Sequence, residues 1–175
     1  MRDATDRVST SVTPQVRLYT TIDSPIGELL LLGDGHALRG LYMQGGRKPM
    51  TIAPNWEPSR RNFTDVQAQL RAYFAGQRVT FEVPLAMDGA PFERRVWRAL
   101  QDIPYGETIS YGELARRLGQ PSAARAVGLA NGRNPIAVIV PCHRVIGANG
   151  TLTGYGGGLE RKRLLLDLER GQTSL

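Results

Sequence analysis

Ile136-Ala137-Val138-Ile139-Val140-Pro141-Cys142-His143-Arg144-Val145-Ile146-Gly147 is the stretch on which the reading of this 175-residue chain turns. The aliphatic run Ile136 to Val140 predicts a buried strand, and Pro141, which cannot donate to a sheet ladder, ends it. Cys142 is then presented in the turn at the strand's mouth, beside an imidazole and a guanidinium. It is the only cysteine in the chain, and His143 is one of two histidines. A free cysteine is ordinarily a small buried hydrophobe. Here the polar neighbours, with Arg144 able to lower the thiol pKa, favour a reactive thiol. Consecutive side chains of an extended segment point to opposite sides, so His143 needs a turn or a bridging water to serve Cys142 as base.

Working outward, a chain of this length suits one medium domain or two small ones. A single cysteine excludes an internal disulfide and a thiolate-cluster metal site, and it suggests the reducing cytoplasm. No apolar run approaches the roughly 18 residues of a membrane span, and none has the form of a secretory signal. Residues 1–15, rich in Ser, Thr and mixed charge, read as a disordered leader. The net charge of +6 is uneven: residues 1–90 carry ten Lys/Arg against nine Asp/Glu, residues 91–175 twelve against seven. The cysteine therefore lies in a basic half, suited to a polyanion such as nucleic acid or simply to solubility.

The fold class expected is α+β: a small N-terminal α/β domain with an antiparallel sheet (16–88), then a mainly helical C-terminal domain (91–170). Val16–Ile22, Glu28–Leu32 and Ala37–Met43 alternate as three strands joined by tight turns. His36 falls in the second turn and reads as a solvated turn residue. Gln44 to Arg60, with three prolines, reads as a loop. Val66, Leu70, Tyr73 and Phe74 mark a helix over Phe63–Ala75, and Val79–Val83 reads as a short strand. This half shows no residues of chemical promise beyond packing and support.

Past Pro91 an apolar stripe, Phe92, Val96, Leu100 and Ile103, runs along a helix whose other face shows Arg94, Arg95 and Arg98, with Trp97 read as core. Ser110 to Glu113 has the spacing of a capping box and opens a short helix that closes at Gly119. A second short helix runs Ala123 to Ala130 and stops at Asn131-Gly132. Two short helices joined by a Gly-containing turn in a basic half suggest a helix-turn-helix, against the plainer reading of a helical hairpin packed by alanines. Arg125 is the second helix's one charge amid Ala124, Ala126 and Gly128, a surface of small residues that lets a backbone approach DNA closely. Gly154-Tyr155-Gly156-Gly157-Gly158 reads as a loop whose N–H groups can face a ligand, with Tyr155 as a wall. The last helix, Leu159 to Arg170, buries Leu164, Leu165 and Leu168, and Glu169 near its end could orient a histidine in a Cys/His/Glu relay.

The cysteine segment, together with Ala123-Ala124-Arg125-Ala126-Val127-Gly128, Asn134-Pro135 and Gly154-Tyr155-Gly156-Gly157-Gly158, closely resembles the O6-alkylguanine-DNA alkyltransferase family. The likeness is strong over Pro91–Glu169 and looser over Val16–Val83. It implies direct reversal of damage: an O6-alkylated guanine, with O4-alkylthymine as a further candidate, is flipped out of double-stranded DNA and its alkyl group moves to the protein's own cysteine, once per molecule. The resemblance makes Cys142 the acceptor, His143 its base through a water, and Glu169 the group that orients His143. Tyr111 would donate a proton toward guanine N3, and Asn134 would brace the turn before the cysteine strand. Gly156 N–H would meet O6, the Cys142 and Val145 carbonyls would read the exocyclic amine, and Tyr155 would line the pocket. Arg125 would fill the gap left in the stack, with Ala124, Ala126, Gly128 and Asn131 on the same DNA-facing helix; at Asn131 some relatives carry a larger residue.

No cofactor is implied. Some family members hold a structural zinc in the N-terminal domain, but His36 alone is available here, so no metal is expected. The partner implied is alkylated duplex DNA, with no membrane, for a cytoplasmic monomer whose cooperativity on DNA is open. Two other classes compete: a helix-turn-helix lesion sensor or regulator without transfer, and a cysteine hydrolase of small esters or amides. Relatives that lack the cysteine bind lesions without repairing them, and the presence of Cys142 argues against that class.

Overall fold

The computed structural model describes residues 17–46, 49–77 and 80–175; the expected leader lies outside them. Strands β1 (Arg17–Ile22), β2 (Leu29–Gly33) and β3 (Leu38–Met43) form the expected antiparallel meander, with Thr21 opposite Leu30 and Leu31 opposite Leu41. β2, an inner strand, is buried along its whole length. Asp34 shapes the β2–β3 turn by accepting from the backbone N–H groups of His36 and Ala37, both at 2.9 Å, which leaves His36 exposed as expected.

Two expectations for this half fail. The supposed loop over 44–60 contains a fourth strand, β4 (Trp56–Pro58), parallel to β1, and the sheet order is β3-β2-β1-β4. Three residues ending in a proline are too short for alternation to register, and an edge strand tolerates the missing donor. The strand expected over Val79–Val83 is not found at 80–83, and Arg78 and Val79 lie outside the described residues. Gln69, on helix α1 (Thr64–Phe74), binds this peptide instead: its amide accepts from Glu82 N at 2.8 Å and donates to Glu82 O at 3.1 Å.

The helical half comprises α2 (Pro91–Gln101), α3 (Tyr111–Arg117), α4 (Ala124–Gly132) and α5 (Leu159–Glu169), with a short parallel pair β5 (Ile109–Ser110) and β6 (Val145–Ile146). Pro91 opens α2 where its missing N–H costs nothing, and Val96, Trp97 and Leu100 are buried. Ser110 caps α3 by accepting from Glu113 N at 3.0 Å. The Glu113 carboxylate does not return the bond; it pairs with Arg116 and Arg117. Gly119, at φ +72°, makes the left-handed turn out of α3. The core is continuous from Ile26 to Leu168, so sheet and helices share one interior.

The run before the cysteine is buried as expected but is not a strand. Ile136 makes a single parallel bridge to Leu41, with Leu41 N donating to Pro135 O at 2.9 Å and Ala137 N to Leu41 O at 3.1 Å. The chain then coils. Ile139 N reaches Ala137 O at 2.8 Å around Val138, whose φ of +70° is the strained form of a three-residue turn. Pro141, at φ −83° and ψ 64°, centres a second such turn in its relaxed form, closed by Cys142 N to Val140 O at 2.8 Å. The Asn134 side chain takes the bonds a ladder would have used, accepting from Ile136 N at 3.0 Å and donating to Val140 O at 2.7 Å.

α2 and α4 are joined by Trp97, fully buried, whose Nε1 donates to Ala130 O at 2.8 Å. Trp97→Phe removes that donor and part of the ring, and is expected to lower the unfolding free energy in urea by about 1–3 kcal/mol.

Candidate active site and DNA-facing surface

Cys142, His143 and Arg144 form one turn of 3-10 helix, which answers how consecutive residues are presented. The Cys142 N–H is used by Val140 O, Arg144 N returns to Pro141 O at 3.0 Å, and Val145 N closes on Cys142 O. The thiol is 6% exposed. Burial pushes its pKa up; the Asn134 side chain and the Lys162 charge pull it the other way. Arg144, expected to stabilise the thiolate, is turned elsewhere, so the resting group is a thiol.

Arg144 instead serves Glu169. Its Nε donates to Glu169 Oε2 at 2.8 Å and its Nη2 to Oε1 at 2.9 Å, a two-pronged pair, while Nη1 donates to Ile103 O at 2.6 Å. The guanidinium carbon lies 5.7 Å from the Tyr105 ring centroid. Glu169 also accepts from Tyr73 Oη at 2.7 Å and from Gly106 N at 3.3 Å. Burial alone would raise its pKa, but the hydrogen bonds from His143 and Arg144, with the Arg144 charge, outweigh burial and hold the carboxyl well below its usual range.

His143 is fully buried, and its Nε2 lies 2.7 Å from Glu169 Oε1. Burial lowers its pKa and Glu169 only partly offsets this, so the ring is neutral. An ionised carboxylate can only accept, which puts the proton on Nε2 and leaves Nδ1 a free acceptor. Nδ1 has no hydrogen-bond partner in the protein. A relay therefore runs Arg144–Glu169–His143 and ends on an open lone pair one residue from the thiol.

The parallel pairing of Ile109 with Val145 and of Ser110 with Ile146 sets Tyr111, the first residue of α3, beside the residues that follow the cysteine. Tyr111 Oη donates to Thr153 O at 3.2 Å, and the ring lies next to Gly128 of α4. Lys162 was not foreseen. It is fully buried, donates from Nζ to Val145 O at 2.6 Å and to Thr153 O at 3.0 Å, and stands 6.0 Å from the Tyr111 ring centroid. Its spacing offered a signal: Lys162, Leu165 and Glu169 recur at three and four residues on the buried side of α5. Gly156 is exposed, Tyr155 is half-buried, and the Tyr155 hydroxyl is buried without a partner.

On α4, Arg125 and Ala126 are exposed and Ala124 and Gly128 half-buried. Leu129, 60% exposed on the same helix, was not singled out by the sequence. Asn131 departs from expectation. It is buried in the last turn, where its Nδ2 donates to Cys142 O at 3.3 Å, so it props the cysteine turn rather than facing outward. Among the described residues no helix is long and apolar enough to cross a membrane, and no group of three or more His, Cys, Asp or Glu is placed to hold a metal ion.

A helix-turn-helix packed onto a shielded thiol, with a buried carboxylate–imidazole pair behind it, defines a DNA-binding protein that carries its own nucleophile. The chain belongs to the 6-O-methylguanine DNA methyltransferase family: residues 17–87 match that family's ribonuclease-like domain and residues 91–171 its DNA binding domain. The methylated-DNA–protein-cysteine methyltransferase of Mycobacterium bovis is 57% identical over 157 residues, covering 88% of this chain and 93% of the relative. That of Methanosarcina acetivorans is 52% identical over 151 residues, covering 86% and 97%. Among solved structures, Mycobacterium tuberculosis OGT in complex with DNA superposes with a TM-score of 0.84 at 56% identity, covering 90% of this chain and 95% of that one.

A carboxyl whose folded pKa is depressed stabilises the fold above its ordinary value of 4.5 and loses that contribution as pH falls below it. Glu169→Gln strands the Arg144 charge, and is expected to destabilise the protein at neutral pH by about 3–5 kcal/mol. Urea titrations from pH 7 down to pH 3 should show stability falling steeply below 4.5 in the parent and less steeply in the variant.

Proposed function

We propose that this protein repairs O6-alkylguanine in double-stranded DNA by moving the alkyl carbon to Cys142 Sγ, once per molecule. The observation that carries this reading is the unpartnered His143 Nδ1, neutral and buried beside a buried thiol. A resting thiol needs a base only at the moment of reaction, and this arrangement supplies one without exposing a thiolate.

Binding begins on α4. Its small residues Ala124, Ala126 and Gly128 admit the DNA backbone closely, and Arg125 enters the stack as the damaged base leaves it. Extrusion costs a few kcal/mol, less for a base whose pairing is already weakened. In the pocket the Cys142 and Val145 carbonyls face the exocyclic amine. The Cys142 carbonyl already accepts from Asn131 Nδ2 and from Val145 N, and the Val145 carbonyl from Lys162 Nζ, so both are held in fixed directions. Gly156 N–H meets O6, and Tyr155 lines the wall.

The Cys142 proton passes through a water to His143 Nδ1, and the imidazolium is held by Glu169. Sγ attacks the alkyl carbon in line as the carbon–O6 bond breaks. The bonding pair returns to guanine, where Tyr111 Oη, turning from Thr153 O, donates to N3. The proton held on His143 then returns through solvent to the Tyr111 oxygen, so that a thiol and an O6-alkylguanine give a thioether and guanine with both side chains neutral again. Asn134 keeps the cysteine turn in register throughout. Residues 91–170 perform the chemistry as a cytoplasmic monomer without a cofactor, and residues 16–88 support them. O4-alkylthymine is the second lesion to assay.

Intact and peptide mass spectrometry after mixing with a duplex holding one O6-methylguanine tests the proposal. One methyl on the Cys142 peptide, capped at one per molecule and absent in Cys142→Ser, is expected. An untouched Cys142 with tight lesion binding would leave a sensor, and one without binding would refute the reading altogether. Tyr111→Phe should transfer the same single methyl about 10²-fold more slowly, the usual scale for losing a general acid.

A further inference from the structure

We propose that Tyr73, on α1 of the N-terminal domain, is a positioning residue of the Glu169–His143 pair that sets the basicity of His143. The inference rests on the alkyl-transfer reading and deepens it, since it makes the N-terminal domain a participant in the chemistry.

Core packing explains the ring of Tyr73 but not its hydroxyl. The ring is fully buried against Phe74, Phe81 and Tyr105, with centroids 5.4, 5.3 and 6.1 Å away. A phenylalanine would fill that space. The hydroxyl donates to Glu169 Oε1, the same oxygen that accepts from His143 Nε2 and from Arg144 Nη2. Burial and the nearby Glu169 charge raise the phenol pKa, so Tyr73 keeps its proton at every working pH.

Three donors thus converge on one carboxylate oxygen, and each takes a share of its charge. The charge drawn by Tyr73 is charge withheld from His143. The groups around the imidazole are Glu169 and Lys162 from α5, Cys142 and Arg144 from its own turn, and Tyr73 from α1, with Tyr105 beside Arg144 and Tyr155 beside Cys142. Among them Tyr73 is the neutral donor bonded to the very oxygen that holds the ring. Removing its hydroxyl strengthens the pull of Glu169 on the Nε2 proton, stabilises the imidazolium and raises the pKa of His143. A base with a raised pKa stays protonated to higher pH, so the acidic limb of the reaction moves up.

The test is the pH–rate profile of single-turnover methyl transfer by Tyr73→Phe, with the fold checked by DNA binding. The acid-limb midpoint is expected to rise by about 0.5–1 pH unit. Tyr105→Phe, in the same aromatic cluster but with no hydrogen bond to Glu169, should leave it in place. Tyr73 replaced by 3-fluorotyrosine, a stronger donor, should move the midpoint down; this second variant decides the matter if Tyr73→Phe proves too unstable. Profiles that superimpose, or a rate lowered equally at every pH, would overturn the inference and reduce Tyr73 to packing. Absence of transfer by the unmodified protein would instead overturn the repair reading. The ring 15N shifts of His143 would then decide on Tyr73 independently, moving in Tyr73→Phe if the coupling exists and staying put if it does not.

Discussion

A carboxylate cannot be taken out of water without partners, and Glu169 shows how far a fold must go to supply them. Leaving such a charge uncompensated costs several kcal/mol. Here a two-pronged Arg144, a phenol, an imidazole and a backbone N–H all converge on it, from α1, the turn before β5 and the cysteine turn. Each of those segments must be in place before the charge is satisfied. The carboxylate therefore ties helix and turn packing to the state of His143, and the thiol is presented only by a correctly assembled interior.

The sheet of the N-terminal half enters the site in a second way. β3 spends its free edge on two contacts: Leu38 with Leu85 after α1, and Leu41 with Ile136 just before the cysteine. The second is a single bridge, after which Asn134 satisfies the backbone and the chain coils through two three-residue turns into Cys142. A continued strand would have sent successive side chains to opposite faces. Coiling lets the consecutive Val138, Ile139 and Val140 all be buried while Cys142 and His143 share one helical turn. The sheet is thus an anchor from which the reactive turn is measured out, and Val138 carries the conformational cost.

That arrangement marks where sequence reasoning stopped. Periodicity and turn residues were enough for the meander, the helices and the buried character of 136–140, because each depends on patterns within a dozen residues. They could not distinguish a strand from a buried coil, since five aliphatics look alike in both and the deciding group, Asn134, acts through its side chain. Arg144 read as a thiolate neighbour because its true partner is 25 residues away in sequence. Tyr73 was invisible as anything but core: its hydroxyl finds Glu169 across 96 residues, and only the tertiary structure brings them together. Asn131, expected among the DNA-facing residues, is buried because its amide reaches the Cys142 carbonyl, a contact that no pattern within the helix announces. The roles drawn from the family likeness came from motif order and not from any local rule, which is why they reached further than the residue chemistry did.

The protonated resting thiol is the feature that best fits single use. An acceptor consumed by one reaction gains nothing from standing reactivity, because any electrophile that reaches a free thiolate ends its working life. Burial removes both access and charge at once: it excludes solvent-borne reagents and raises the thiol pKa. The base proposed to reverse this, His143, is itself neutral and buried, and Asn134 and Lys162 pull the thiol pKa back down against its burial. Selectivity then need not reside in the nucleophile. In the proposed reaction it falls to the step that brings a carbon centre to Sγ while the proton has His143 Nδ1 to go to, and a base flipped out of the duplex against the cysteine turn would meet that condition where a small solvent-borne electrophile does not.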